Sequence, residues 1–159
     1  MHPVDVLKYG HATVLTTLEP FPDREWYTSG ACGYWSVKDL IAHIGSFELV
    51  LAEVLNNLLD SSRPKPLLDA FIHERIQFND VQVDARKDLN MQQVRDEYIN
   101  AYEDVMVAAE KIPSAIWQQS GTLPWYGMEY DLEDLVVYMY YAHKREHCGQ
   151  IAVFSDRFK

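Results

Sequence analysis

The chain has 159 residues, 48% of them hydrophobic and 24% charged, and a net charge of −10. That length buries a proper core without staples, and the composition is that of an ordinary globular domain, not a fibrous or disordered chain. An acidic balance with no basic block excludes the positive footprint that nucleic acid and anionic membranes demand, and no run reaches the roughly 18–20 apolar residues of a membrane span.

Two cysteines, Cys32 and Cys148, are too few for a disulfide framework. The opening MHPVDVLKYGHATVL carries an early Asp and no apolar stretch of signal-peptide length. The expectation is a reduced, cytoplasmic protein, a single domain over residues 1–159, without internal repeats or low-complexity tracts.

Taken in chain order, residues 4–19 put Val4, Leu7, Val14, Leu15 and Leu18 on one helical side, and PFPD then breaks the run. A loop, EWYTSGACGYW, contains two glycines. Ser36 opens a second helix with Asp39 standing in for the Glu of a capping box. Its stripe is Leu40, Ile44, Phe47, Leu51, Val54, Leu55 and Leu58, ending near residue 61. The stretch PLLDAFIHERIQFND predicts one short helix. Asn90, with Gln93 three positions on, opens a third long helix that ends before Pro113. After a loop containing Gly121, Pro124 and Gly127, Asp131 and Asp134 mark the start of a last helix through LEDLVVYMYYAHKREHCGQIAVFSD. No segment sustains strand alternation. The fold class is all-α, a four-helix bundle with a long 60–90 connection that permits successive helices to run parallel.

The last helix carries the chemistry. His143 and His147 stand four positions apart, which places two imidazoles one turn apart on one side. At about 100° per residue from His143, His147 lies near about +40°, Val136 and Phe154 near about +20°, and Leu132 and Gln150 near about −20°. Both histidines therefore sit in the core-facing stripe, and a shared metal ion would satisfy two buried imidazoles that serve each other poorly. His43 belongs to the inward side of the second helix with Leu40 and Phe47. Three histidine ligands, His43, His143 and His147, describe a metal site with open positions, whereas structural zinc takes four ligands.

Other candidates are weaker. Cys148, at about 140°, points away from His143 and reads as a packing residue. His11 and His73 read as hydrogen-bonded or exposed, with His11 the one that could line a pocket, and His2 reads as a solvated terminal residue. Residues 143–147 also fit HxxEH, the inverted zinc-protease motif, but no Glu follows to supply its third ligand. Glu146, at about −60°, could orient a ligand or serve as a base, although an ordinary salt bridge accounts for it as well.

TSGACGYWSVKDLIAHIGSFE resembles the signature stretch of the DinB/YfiT-like (DfsB-type) family, in which a Trp-Ser/Thr-Val-x-Asp opening leads into a helix carrying a metal-binding His. YAHKREHCGQI resembles that family's closing His-x-x-x-His followed by Gln-Ile. The resemblance implies an up-down-down-up bundle, a divalent metal on His43, His143 and His147, a homodimer and a bacterial cytosol. It also implies thiol-dependent transferase or isomerase chemistry, or hydrolysis.

Two functions follow from these readings. The first is a metal-dependent enzyme, a thiol-dependent S-transferase or hydrolase acting on a small electrophilic molecule, in which the cation is a Lewis acid or lowers the pKa of a bound water or thiol. Trp35, Trp125, Tyr126, Tyr138 and Tyr141 are candidates to line its pocket, and Arg145 or another Arg would have to favour an anionic thiol at the mouth. The second is a non-catalytic metal-binding or small-molecule-binding stress protein. Zinc suits three imidazoles, and nickel, iron and manganese fit the same ligand set. No catalytic side chain is identifiable.

Overall fold

Local signals set the helix boundaries. In the computed structural model, which describes residues 2–159, α1 spans Pro3–Leu18. Its first residue is a proline, whose missing N–H costs nothing there. His2 is exposed, but it is more than a solvated terminus. Its Nδ1 accepts the Val4 N–H at 3.3 Å, and its ring meets Trp117 edge-on at 6.2 Å.

A 3₁₀ turn, Asp23–Glu25, follows the proline break. Beyond it the N–H groups of Gly30, Ala31 and Cys32 converge on the Trp35 carbonyl. Gly30 (φ 108°) and Gly33 (φ 58°) supply the left-handed backbone that this tight loop requires. The loop thereby holds Trp35 next to the start of α2.

Helix α2, Val37–Leu59, begins with a complete capping box: Ser36 accepts the Asp39 N–H and Asp39 accepts the Ser36 N–H. The stretch expected to be one short helix is two, α3 (Pro66–Glu74) and α4 (Ile76–Asp84). They are separated by Arg75, which has φ 43° and ψ −98°. Such a backbone costs a non-glycine residue on the order of 1–3 kcal/mol. Helix α5, Met91–Ala109, has the predicted Asn90–Gln93 capping box, and α6 is the short turn Ser114–Trp117.

The last helix is built in three consecutive pieces. They are α7 (Leu132–Asp134), capped by Asp131 and Asp134, a π-helical segment (Leu135–Tyr141), and α8 (Ala142–Ser155). A short 3₁₀ turn, Asp156–Phe158, closes it. All regular elements among the described residues are helical, and no helix is long and apolar enough to cross a membrane.

Helix α2 packs chiefly on α5, α1 packs on the π segment and α8, and α3 and α4 lie over α2. Gly45 of α2 sits against the Tyr98 backbone and Cβ of α5, and Gly10 of α1 sits against Lys144 and Tyr141. The core has two apolar clusters. One contains Leu40, Ile41 and Ile44 with Tyr98, Cys148 and Ile151. The other contains Phe47, Leu51 and Leu55 with Val105, Val136 and Tyr140. The seam between them is polar, with His43, Ser46, Glu48, Lys144 and His147 all buried there.

Replacing Ser36 by Ala removes one half of the α2 capping box and leaves the Asp39 N–H without its acceptor. Urea denaturation of Ser36→Ala is expected to show a loss of about 1 kcal/mol with an unchanged denaturant slope.

Candidate metal centre

The polar seam converges on one point. His43 Nε2 lies 2.8 Å from His143 Nε2, and His143 Nε2 lies 2.9 Å from His147 Nε2. The ring planes of His143 and His147 are each turned 87° to that of His43, so the three nitrogens approach from separate directions. In a neutral imidazole His143 Nε2 has either one hydrogen or one lone pair, so it completes only one of its two contacts, whereas a cation takes one lone pair from every ring. The three residues thus form a group able to hold a metal ion.

Each ring is placed by its own element. His43 stands two turns past the Ser36 cap, flanked by Trp35 at 5.1 Å and Phe47 at 4.9 Å between ring centroids. Phe47 also packs on His143 at 4.7 Å. One turn beyond His147, Gln150 Oε1 lies 2.8 Å from His147 Nδ1. That contact makes Nδ1 the protonated nitrogen, since an amide oxygen only accepts, and leaves Nε2 with a free lone pair. His43 Nδ1 is buried and has no partner among the described residues. Burial first, and then the neighbouring imidazoles, lower the pKa of His43 to about 3; burial and the charges of His147 and Lys144 do the same for His143. Neutral imidazoles are the form that binds metal.

The seam contains a second feature that sequence reading missed. Lys144, 2% exposed, forms an ion pair with Glu48, which is wholly buried. The Lys144 ammonium also lies 5.7 Å and 5.9 Å from the ring centres of Tyr98 and Tyr102. Gly10 allows this, because its Cα faces the aliphatic stem of Lys144 where a Cβ would come within 3.3 Å. Glu48 Oε2 and the Tyr140 hydroxyl make no hydrogen bond among the described residues, and burial, then Glu48, hold the Tyr140 phenol well above its ordinary pKa. The pair fastens α2 to α8 next to the three histidines.

The remaining candidates fall outside the centre. His11 belongs to a different contact: its Nδ1 is 2.9 Å from the Tyr98 hydroxyl, and its ring stacks on Tyr102 at 3.7 Å. His73 and Glu146 are exposed, and Glu146 makes no salt bridge among the described residues. Cys148 is buried in the core, where burial raises its thiol pKa, so it stays a protonated packing residue. Of the aromatic candidates, Trp35 flanks His43, and Trp125 and Tyr126 line a cavity on the far side of Phe47. Tyr141 faces a groove against Val6 and Tyr9, and Tyr138 is 61% exposed. Arg145 is held by the Tyr141 hydroxyl at 3.1 Å, away from that cavity; the arginine that does line it is Arg75.

Removing one partner of a buried ion pair strands the other. Glu48→Gln is expected to lose about 3–5 kcal/mol of stability in chemical denaturation, and the Glu48→Met/Lys144→Met double variant to recover most of it. Acid acts on the imidazoles. Because the folded pKa values of His43 and His143 lie below the unfolded value of 6.5, only the unfolded chain takes up protons as pH falls from about 6.5 toward 3. Metal-free protein is therefore expected to lose about 2 kcal/mol per residue, about 4 kcal/mol for the two together, between pH 7 and pH 5, and a His43→Phe variant to show a shallower loss.

No curated protein and no solved structure matches the chain. The family model of the DinB superfamily matches residues 7–151, a span that takes in all three converging histidines. With that match covering most of its length, the chain belongs to the DinB superfamily.

Proposed function

We propose that the chain is a divalent-metal-dependent enzyme, one domain acting as a thiol-dependent S-transferase or a hydrolase on a small electrophilic molecule. The observation that carries this reading is the meeting of three Nε2 atoms from two separate helices, 2.8 Å and 2.9 Å apart along the chain of contacts, with Gln150 fixing one tautomer. A bound cation supplies Lewis acidity and a lowered pKa for a water or low-molecular-weight thiol occupying its remaining positions. The protein's own part is to present neutral imidazoles, to exclude water with Trp35 and Phe47, and to hold α2 against α8 through Glu48 and Lys144. Zinc suits this nitrogen set best, and nickel, iron and manganese suit it too.

The up-down-down-up order is supported by contacts that advance together along α2 and α5, from Lys38 on the Lys87 carbonyl to Gly45 on Tyr98. A cytosolic homodimer belongs to the same reading. Tyr9, Val137 and Tyr138 form an exposed apolar strip that supports self-association.

A non-catalytic metal-binding role is the alternative, and the unpartnered His43 Nδ1 favours it only in that nothing yet tunes that ligand. Metal analysis of the purified protein, followed by assays of thiol conjugation and ester hydrolysis, separates the two. Native protein is expected to carry about one divalent ion per chain; His143→Ala is expected to lose it together with activity. Bound Co²⁺ should give an absorption band that shifts when thiols are added. Equal turnover by His143→Ala in every assay would remove the metal from the mechanism. Sedimentation equilibrium is expected to show a dimer that Tyr138→Glu weakens.

A further inference from the structure

A cavity of about 520 Å³ opens beside the metal centre, between α2, the α3–α4 junction, the loop before α7 and the π segment. Its inner wall is Phe47, the ring that also packs on His43 and His143. Phe71 meets Phe47 edge-on at 5.5 Å, and Trp125 meets Phe71 at 6.1 Å and 81°. The body of the cavity is thus aromatic, and its size falls within the range that encloses a small organic molecule.

Besides the Tyr126 hydroxyl and the Trp125 indole N–H, its polar lining is Asn79 and Arg75, and Arg75 is the one charged side chain there. Arg75 is exposed at the rim, and no carboxylate forms a salt bridge with it among the described residues. That is unusual in a chain of net charge −10, where acidic partners are plentiful. Arg75 also occupies the strained break between α3 and α4, a backbone that non-glycine residues rarely adopt. The break ends one helix and starts the next at the cavity's edge, and it leaves Ile76 beside Arg75 with 89% of its surface exposed. A planar guanidinium without a partner, set at the mouth of an aromatic cavity, matches a carboxylate attached to an apolar body.

We infer that this cavity binds a ring-sized apolar organic acid, its carboxylate on Arg75 and its ring among Phe47, Phe71 and Trp125. The inference rests on the small-molecule enzyme reading above and supplies its substrate class. Bound in this way, the apolar end of the acid lies against Phe47, next to the three histidines, while the charged end stays at the rim.

The test is calorimetric titration with 2-naphthylacetate and its neutral counterpart 2-naphthylacetamide. Wild-type protein should bind the acid more tightly than the amide, with the Trp125 indole N–H resonance shifting on binding. Arg75→Gln should weaken the acid at least about tenfold and leave the amide unchanged, which also shows that the variant is folded. Ile72→Trp, which fills the cavity, should abolish binding of both. Equal binding of acid and amide to wild type, binding of neither, or full acid affinity in Arg75→Gln would overturn the assignment. Repeating the titration on His143→Ala separates the two claims. Unchanged acid binding there upholds the cavity whatever becomes of the metal reaction, and a native protein that binds the acid yet carries no metal sinks only the enzymatic reading.

Discussion

The structure depends on how a layer of polar groups is tolerated between two apolar clusters. Burying His43, Glu48, Lys144 and His147 at one level of a helical bundle is unfavourable unless each finds a partner. Glu48 and Lys144 find each other, Lys144 gains two tyrosine faces, and the imidazoles turn their lone pairs toward a common point. Hydrophobic residues of similar volume would hold α2 and α8 together at least as well. What the ion pair adds is register: a slip of one turn between the helices would separate both the charges and the imidazoles. Stability and ligand geometry are therefore tied to the same contact.

Much of the fold was legible because its signals are local. The three capping boxes at Ser36, Asn90 and Asp131 start helices where residue spacing said they would. The convergence of His43 with the last helix was legible as well, since all three residues lie on inward stripes. The break at Arg75 was not, because nothing in the residue itself announces a left-handed backbone. Lys144 was missed for a physical reason. The helical wheel assumed one uniform winding from residue 132 to 154, and the π segment interrupts it. Buried residues before and within that segment (Leu132, Leu135, Val136, Tyr140) centre near about 0° on the wheel. Those after it (Lys144, His147, Cys148, Ile151, Phe154) centre near about 80°. Lys144 and Cys148 fall on the buried side only once that offset is included.

The site's surroundings divide the labour among different parts of the chain. Loop residues, through Trp35 and Trp125, wall the candidate centre and the neighbouring cavity, while the three histidines stand on long helices. Such an arrangement keeps the three imidazoles on regular helices and leaves the walls free to vary. The match to the DinB superfamily spans both the three histidines and the residues that wall them.

The seven-residue π segment has a consequence for how such a chain can change. Wider winding of this kind accommodates the length of an insertion without breaking the helix. Deleting a single residue between Leu135 and Tyr141 would let the stretch close into plain α-helix, and the about 100° removed would nearly cancel the about 80° that the wider winding already absorbs, so everything downstream would keep its face. A second deletion would find no such slack, and would turn His143 and His147 out of the interior together with neither imidazole touched. The π segment is thus a reserve of one residue, which the chain can lose without re-aiming the two rings.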